Sequence, residues 1–594
     1  MSKTHRKPTR LPEDWVYENA GTRWQDGLIL GNGNLGLIGY APYGLEWTVT
    51  KGDIFDARRG TGTMVRHADV LARIEKEHLT NLSFLGEEER PPQDAVSPLS
   101  KIAGLLKLKF GDEYGWSAAR PHKVGQRLAM SEGVMRFDLD MHLSHPRVAC
   151  IVPRDRNVCC IRIAQCGGAL WNHSLELALP PDDDLSAPRW GGDTGLLWME
   201  QKMPHESAHY AMALLVVPTT GLASDDLFAR ALHPRYRTFK SGVGKPQIAR
   251  YSASLPQAGN ADIYLAVFTS YEDPRPLERA IREVKAAARQ GYDSLATKDA
   301  AWWRQFWETS SADFGTHREI QKYWDFSLYQ TACLLGRAPV PGLYGLWYGA
   351  TDTPRSGVSG SWYTHDQNVQ MPMFPIFPLN HVDLVEPFIE TYRRALPTLR
   401  RETRKLFQCP GVCLPLSMDQ LGVEIPSGSY RYSLCGGAYT GMVMAWVWKY
   451  APQRLDLARR IYPIIKELVR FYLARMSLGP DGRLHLGWEV PPEIFSISRD
   501  STVSLAMLKP CLQALIELSE TLGKDAVERR RWHDVLARYP EFPRRHGGDW
   551  WAGSDIPENH YTQAAYMLYP FFPAEAALTP EDERTAALTL TKSD

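Results

Sequence analysis

Two periodicities divide the chain. From about residue 12 to about residue 270, short apolar runs recur between Gly, Pro, Asn and Asp punctuation, as in Leu28–Leu30, Leu105–Leu108, Val158–Ile163 and Ala211–Val217. Met135–Met141 alternates between apolar and polar side chains. Successive strand residues point to opposite faces, so this pattern predicts many short strands and a large β-sandwich over 12–270. Beyond Tyr271–Pro274 the period lengthens. Leu277, Ile281, Val284, Leu295, Trp302, Trp303 and Phe306 fall mostly at three- and four-residue steps, predicting a helical connector over 271–318. Helical segments then follow at Tyr323–Leu335, Val382–Leu406, Ala438–Tyr450, Leu455–Met476, Val503–Leu522 and Ala526–Leu536. No strand runs alternate with them, so residues 319–594 read as an all-α domain rather than a βαβ one.

Composition narrows the function classes. The 594 residues carry 68 basic and 68 acidic side chains, which argues against a nucleic-acid binder held by a broad basic face. No stretch approaches the roughly 18 apolar residues that a membrane span needs. At 44% hydrophobic, wholesale disorder is excluded. The basic N-terminus is followed by no apolar h-region, so no secretory signal is expected. Nine cysteines are too few for a disulfide scaffold, and neither Cys159–Cys160 nor Cys409/Cys413 has CxxC spacing. Free thiols in a reducing cytoplasm are expected. The 19 tryptophans and 26 tyrosines suit a protein that stacks sugars or one with large aromatic cores.

Several motifs have plain readings. Gly31–Gly36 matches GxGxxG, but Leu37–Pro42 after it reads as a strand and not as the helix a dinucleotide site needs, so a β-turn is expected. Lys51–Asp53 has no phosphate-loop context. His560 has no partner at i+4, and neither HExxH nor GxSxG occurs, so no metal or cofactor is expected.

Chemistry concentrates in three loops of the helical half. The first holds Trp347 and then Trp362-Tyr363-Thr364-His365-Asp366-Gln367-Asn368-Val369-Gln370, aromatics beside a row of hydrogen-bonding side chains. Asp366, Asn368 and Gln370 can hold sugar hydroxyls or a catalytic water; the competing reading is a buried polar network that only locks the loop. The second is Trp488-Glu489-Val490-Pro491-Pro492-Glu493, where an apolar shell would raise a carboxyl's pKa and suit a general acid. The competing reading is that these acids and Asp500–Thr502 merely cap the next helix. The third runs from Asp549 to His560 and adds Asp549, Asp555 and Glu558. Glycoside hydrolysis needs two carboxyl groups across one sugar, one to protonate the leaving oxygen and one to activate water.

In this order, behind a β-rich half, the three loops resemble the family 95 glycoside hydrolases, which include α-L-fucosidases and α-L-galactosidases. Trp24–Gly36, ending LGNGNLG, resembles the family's N-terminal signature, and Trp302–Trp307 its connector ending in W-x-x-F/Y-W. Gly342–Met371 resembles its GLWN…YT-x-N-x-N-x-Q-M segment, Trp488–Leu508 its S-P-E loop and following helix, and Leu568–Pro570 its LYP ending. The resemblance implies an N-terminal β-sandwich, a helical connector and an (α/α)6 barrel, with inverting hydrolysis and no cofactor. It implies Glu493 as general acid and Asn368 as a holder of the attacking water. Asp555 is the positional match to the base. Trp347, Trp362, His365, Gln370, Trp488, Glu489 and His560 are the expected sugar-binding set. Two departures matter. Asp366 stands where the family has asparagine, which makes it a second candidate base. The HRHxSHL segment is replaced by Asn559–Ala565, so fucose specificity is not carried over. After Pro573 only one short helix is expected, Pro580–Leu590, which leaves the barrel short of its closing helices or completed differently. The expected partner is an oligosaccharide or glycoside. The rival readings are a phosphorylase, a lyase using Tyr363 and His365, and a non-catalytic glycan binder.

Overall fold

The computed structural model describes residues 10–42, 44–56, 65–82, 99–110, 121, 123–141, 145–164, 173–179, 185–203, 208–220, 235–240, 247–255, 260–338, 342–343, 345–349, 363–425, 431–492, 496–544, 550–556 and 580–591. The chain divides into two compact units: Met1–Arg58 with Leu99–Ser361, and Arg59–Pro98 with Trp362–Asp594.

The first unit is built on two antiparallel sheets. One orders its strands Trp15–Tyr17, Lys123–Ala129, Val134–Asp140, Arg147–Ile151, Val158–Ala164, Asn260–Thr269, His209–Thr220, Leu196–Lys202 and Arg189–Asp193. The other runs Arg235–Lys240, Gln247–Leu255, His173–Ala178, Gly104–Phe110, Leu45–Lys51, Leu35–Tyr40 and Leu28–Gly31. Their inner faces meet where Trp47 lies edge-on to Phe137, with ring centroids 6.3 Å apart, and where the Tyr210 hydroxyl donates to the Ala103 carbonyl at 3.0 Å. The alternation in Val134–Asp140 follows from this packing: Phe137 and Leu139 are buried and Asp138 and Asp140 exposed.

The connector follows as two helices, Pro276–Gln290 (α2) and Tyr292–Thr309 (α3), and Arg318–Leu334 (α4) comes next. Pro276, whose fixed φ suits a first helical turn, starts α2, and Gly291 at φ +82° ends it. Ala280, Val284 and Ala287 recur at helical spacing on one face of α2 and pack on Ala213, Tyr264, Ala266 and Phe268 of the first sheet.

The Gly31–Gly36 motif is a hairpin turn, as expected. Asn32 Oδ1 accepts the N–H groups of Asn34 and Leu35 at 3.0 and 2.8 Å, and its amide donates to the Arg156 carbonyl at 2.7 Å. Gly33, at φ +85°, donates its N–H to the Cys333 carbonyl at 2.7 Å. The Lys51–Asp53 turn also proves structural. Lys51 is fully buried and pairs with Asp53 and, at 2.8 Å, with Glu272, while Asn157 donates to Glu272 at 2.7 Å.

The second unit is helical: Glu386–Phe407 (α5), Cys435–Tyr450 (α6), Leu455–Leu473 (α7), Thr502–Thr521 (α8), Ala526–Ala537 (α9) and Pro580–Leu590 (α10). The mixed architecture, sheets first and helices after, is as the pattern predicts. α6 is apolar nearly all round, and Gly436, Gly437 and Gly441 let neighbours close on it; a Cβ on Gly441 would stand 2.8 Å from Cys511 Sγ of α8. No helix among the described residues is long and apolar enough to cross a membrane. The second unit is not purely helical, as the pattern had it: short ladders pair Tyr363–Thr364 with Ser417–Met418 and Met476–Leu478 with Leu484–Leu486, where the chain turns back after α7. Helix His67–Glu77 (α1) interrupts the strand-rich first half, and its residues belong to the second unit.

Gly33→Ala tests the turn. The new Cβ would meet the Leu335 carbonyl oxygen at 2.3 Å, in a backbone conformation that already costs an L-residue about 1–3 kcal/mol. The unfolding free energy from urea titration should fall by at least that much; an unchanged value removes the turn's structural role.

Candidate active site

The first loop is anchored by a two-residue ladder, Tyr363–Thr364 against Ser417–Met418, and by the His365 N–H, which donates to the Leu416 carbonyl at 2.7 Å. The following turn splits its polar residues between two environments. His365 is fully buried, and burial pushes its pKa down to about 4, so the ring is neutral. Its Nδ1 faces the Leu416 carbonyl at 3.2 Å and must carry the proton; Nε2 then accepts from the Tyr392 hydroxyl at 2.9 Å. Gln370 is also fully buried and donates to the His365 carbonyl at 3.0 Å and to Thr440 Oγ1 at 3.2 Å. Asp366 and Asn368, between these anchors, are half-buried.

The second loop is closed by nested pairs. Leu486 N–H donates to Asp500 Oδ1 at 2.6 Å, and His485 Nδ1 lies 2.7 Å from Asp500 Oδ2. Above them, the Glu489 N–H donates to the Ser498 carbonyl at 2.8 Å and the Ser498 N–H returns to Glu489 at 2.9 Å. Glu493, between these arms, lies outside the described residues, as do Trp362, His560 and Asp549. Asp500 takes a left-handed φ of +48°, which lets it reach back to Leu486 rather than cap α8; Ser501, at the cap position, makes no side-chain capping bond.

Glu489 is fully buried. Its Oε1 accepts from the Ser504 hydroxyl at 2.5 Å. Burial raises its pKa above the ordinary glutamate value, Ser504, Arg475 and Ser501 pull it back, and Asp500 pushes it up. The Cys435 thiol at the start of α6 is raised by burial first and then by the charges of Glu489 and Asp366, so the first two loops meet beside it.

The third loop is fastened to the second. Thr502 N–H donates to the Ala552 carbonyl at 3.1 Å, and Ser554 N–H to the Arg499 carbonyl at 3.0 Å. Asp555, exposed, accepts the Arg499 N–H at 3.3 Å. Gly553 is needed here, because a Cβ would stand 2.0 Å from Ser498 Oγ.

The structure thus gathers Asp366, Asn368, His365, Gln370, Trp488, Glu489 and Asp555 within the second unit. Trp347 belongs to the first, where its indole N–H donates to the Leu30 carbonyl at 2.8 Å. Trp488 is nearly buried and stacks on His67, with ring centroids 4.4 Å apart and planes 6° from parallel. The sequence reading missed Ser504, Arg475, Cys435, the His485–Asp500 pair and the α1 segment. The alternation of polar and apolar residues in Leu484-His485-Leu486 was the one local signal for the strand that carries His485.

Residues 320–592 match the model of the glycosyl hydrolase family 95 catalytic domain. The likeness to family 95 holds over that segment. No curated protein matches the chain. Among solved structures, "Putative kojibiose phosphorylase from human microbiome" superposes with a TM-score of 0.63 at 12% identity, covering 98% of this chain and 77% of that one. A bacterial glucoamylase complexed with acarbose gives 0.43 at 9% identity, covering 88% and 70%. A family GH92 α-mannosidase from Bacteroides thetaiotaomicron gives 0.37 at 12% identity, covering 91% and 65%. The first of these likenesses shows the fold. The match to the family 95 model over 320–592 supports a carbohydrate-active enzyme.

Glu489→Gln tests the buried carboxyl. With its folded pKa above the unfolded value near 4.5, the wild type holds this proton when folded and has lost it when unfolded as pH rises between the two values, so stability falls across that window. Glutamine keeps the oxygen that accepts from Ser504 and does not titrate. The thermal midpoint of Glu489→Gln should gain on the wild type from pH 4.5 upward and level off above the folded pKa. A constant difference would remove the assignment.

Proposed function

We propose that the protein is a glycoside hydrolase that removes a terminal sugar with inversion of configuration, using an (α/α)6 barrel formed by residues 319–594. Glu493 protonates the glycosidic oxygen. Asn368 holds the attacking water, and Asp555 or Asp366 removes its proton. Inversion requires the acid and base carboxyls roughly 6.5–9.5 Å apart, to leave room for that water. Trp362 and His560 belong to the sugar-binding set on this reading; the Trp488 ring, nearly buried with His67 flat on its face, holds the loop instead. His365 and Gln370 serve it by fixing the turn that presents Asp366 and Asn368. A cytoplasmic location is part of the proposal, consistent with eight described cysteines that are all free.

The observation that carries the reading is the convergence of loops within one unit. Asp366 and Glu489 both act on the Cys435 thiol, and Asp555 accepts from Arg499 at the foot of the loop that bears Glu493. The family 95 match over the same span supports it.

A phosphorylase is the second reading, because one fold hosts several chemistries and a solved structure so described shares this one. It replaces the base by bound phosphate. Turnover of nitrophenyl glycosides and oligosaccharides, with and without phosphate, separates the two. Hydrolysis without phosphate, giving the opposite anomer, is the expected result; strict phosphate dependence sinks the hydrolase. Glu493→Gln should lower kcat by about 10²–10⁴-fold on substrates with poor leaving groups. Of Asp555→Asn and Asp366→Asn, the variant that falls as far identifies the base; full activity in both removes the inverting mechanism.

A further inference from the structure

The loop that carries Glu493 is gripped on both arms by a segment far away in sequence. On the outgoing arm, His67 stacks flat on Trp488, and Val70 and Leu82 share a buried cluster with Tyr432, Trp488 and Val490. On the returning arm, Asn81 pairs with Ser496 as an antiparallel bridge, and the Ile497 N–H donates to the Thr80 carbonyl at 3.0 Å. The segment is tied down from beneath, since the Val65 carbonyl accepts from Arg431 at 3.2 Å and from the Tyr432 hydroxyl at 3.3 Å. The Glu489–Ser498 bridge fixes only the foot of the loop. Residues 65–82 hold Val490, Ser496 and Ile497, one to two residues nearer Glu493 than that bridge, and hold Trp488 immediately outside it, so the clamp grips the loop on both sides of its foot.

We propose that residues 65–82 are a positioning clamp for the proton-donor loop, with His67 as a positioning residue that acts through the Trp488 ring. The proposal rests on the reading of Glu493 as the acid. Acid catalysis is sensitive to sub-ångström placement of the donor, so a loop held at its foot alone would leave Glu493 poorly aimed. Two features suit His67 to this task. It sits at the first position of α1, so its ring is carried on a rigid element. Burial, then the charges of Arg475 and Arg431, pushes its pKa down to about 3, so a neutral ring faces the indole across the physiological range. Phe407 and Tyr432 flank it at centroid distances of 5.0 and 5.9 Å, which confines the ring to one stacking geometry.

Hydrogen exchange on the full chain without substrate tests the clamp directly. Amides of residues 488–500 should exchange about tenfold faster in His67→Ala and in His67→Gln, which keeps polarity but loses the ring. His67→Phe should restore the wild-type rate, and strands of the first unit should be unchanged in all three. Loop exchange that stays at the wild-type rate in His67→Gln, or that rises as much in His67→Phe, overturns the proposal. On an oligosaccharide, whose sugar leaving group needs the proton, kcat should fall in the Ala and Gln variants with KM within twofold, and recover in the Phe variant. Glu493→Gln separates the two ideas. If it retains full turnover, the acid reading fails whatever the exchange shows. If it is inactive while His67→Gln exchanges and turns over like the wild type, the clamp alone fails.

Discussion

The paired backbone hydrogen bonds between Glu489 and Ser498 are the constraint on which the candidate site depends. They turn a long irregular connection between α7 and α8 into a loop with a fixed foot. Everything else near the site is measured from there. Asp500, one turn lower, accepts the Leu486 amide; the next residues begin α8; and the third loop hangs on Arg499 and Thr502 through backbone bonds. Backbone pairs are insensitive to side-chain identity, so this frame tolerates changes in the pocket residues it holds. That separation of frame from chemistry is what lets one scaffold carry several carbohydrate reactions.

Glu489 sits at the centre of the frame, and its burial needs an account. An ionised carboxylate without water is expensive, and one serine hydroxyl with a nearby arginine returns only part of that cost. Protonation removes most of the penalty, which is the direction in which burial drives this group. A neutral carboxyl also gains a donor, useful among hydroxyl and carbonyl oxygens. Cys435 responds in the same sense: its thiol is held neutral by burial and by the two acids beside it. Burial thus drives the Glu489 carboxyl and the Cys435 thiol toward their neutral forms, while Asp555 lies exposed to solvent. Acid and base roles in glycoside hydrolysis call for this kind of contrast between environments.

The order of elements was legible in sequence because periodicity reports burial. Val134–Asp140 alternates since one face meets the opposite sheet, and α2 shows its stripe since it lies on a sheet. α6 and α8 were legible by their length and apolar content. α1 was not: eleven residues with one fully buried side chain carry too little apolar signal, and its partners are more than three hundred residues away. Asp500–Thr502 were misleading for a related reason. A Ser-Thr pair before an apolar run looks like a helix cap, but the left-handed turn at Asp500 redirects its carboxylate to Leu486 and His485. Local rules propose that bond; a tertiary contact takes its place.

The 365–370 turn shows where residue type stops discriminating. His, Asp, Asn and Gln are equally suited to grip a sugar and to lock a loop, since both tasks ask for hydrogen bonds in a water-poor place. What separates them here is position in the turn. His365 and Gln370 point into the packed interior and are spent on Leu416, Tyr392, Thr440 and their own backbone, so neither can be withdrawn without leaving buried polar atoms unpaired. Asp366 and Asn368 lie half-buried between two such anchors and inherit their rigidity. Gly436 completes the arrangement: a Cβ there would stand 2.9 Å from the His365 carbonyl, so only glycine at the head of α6 lets the turn seat fully. On the proposed reading, a water-binding amide and a candidate base are thereby aimed by groups that need never touch the sugar.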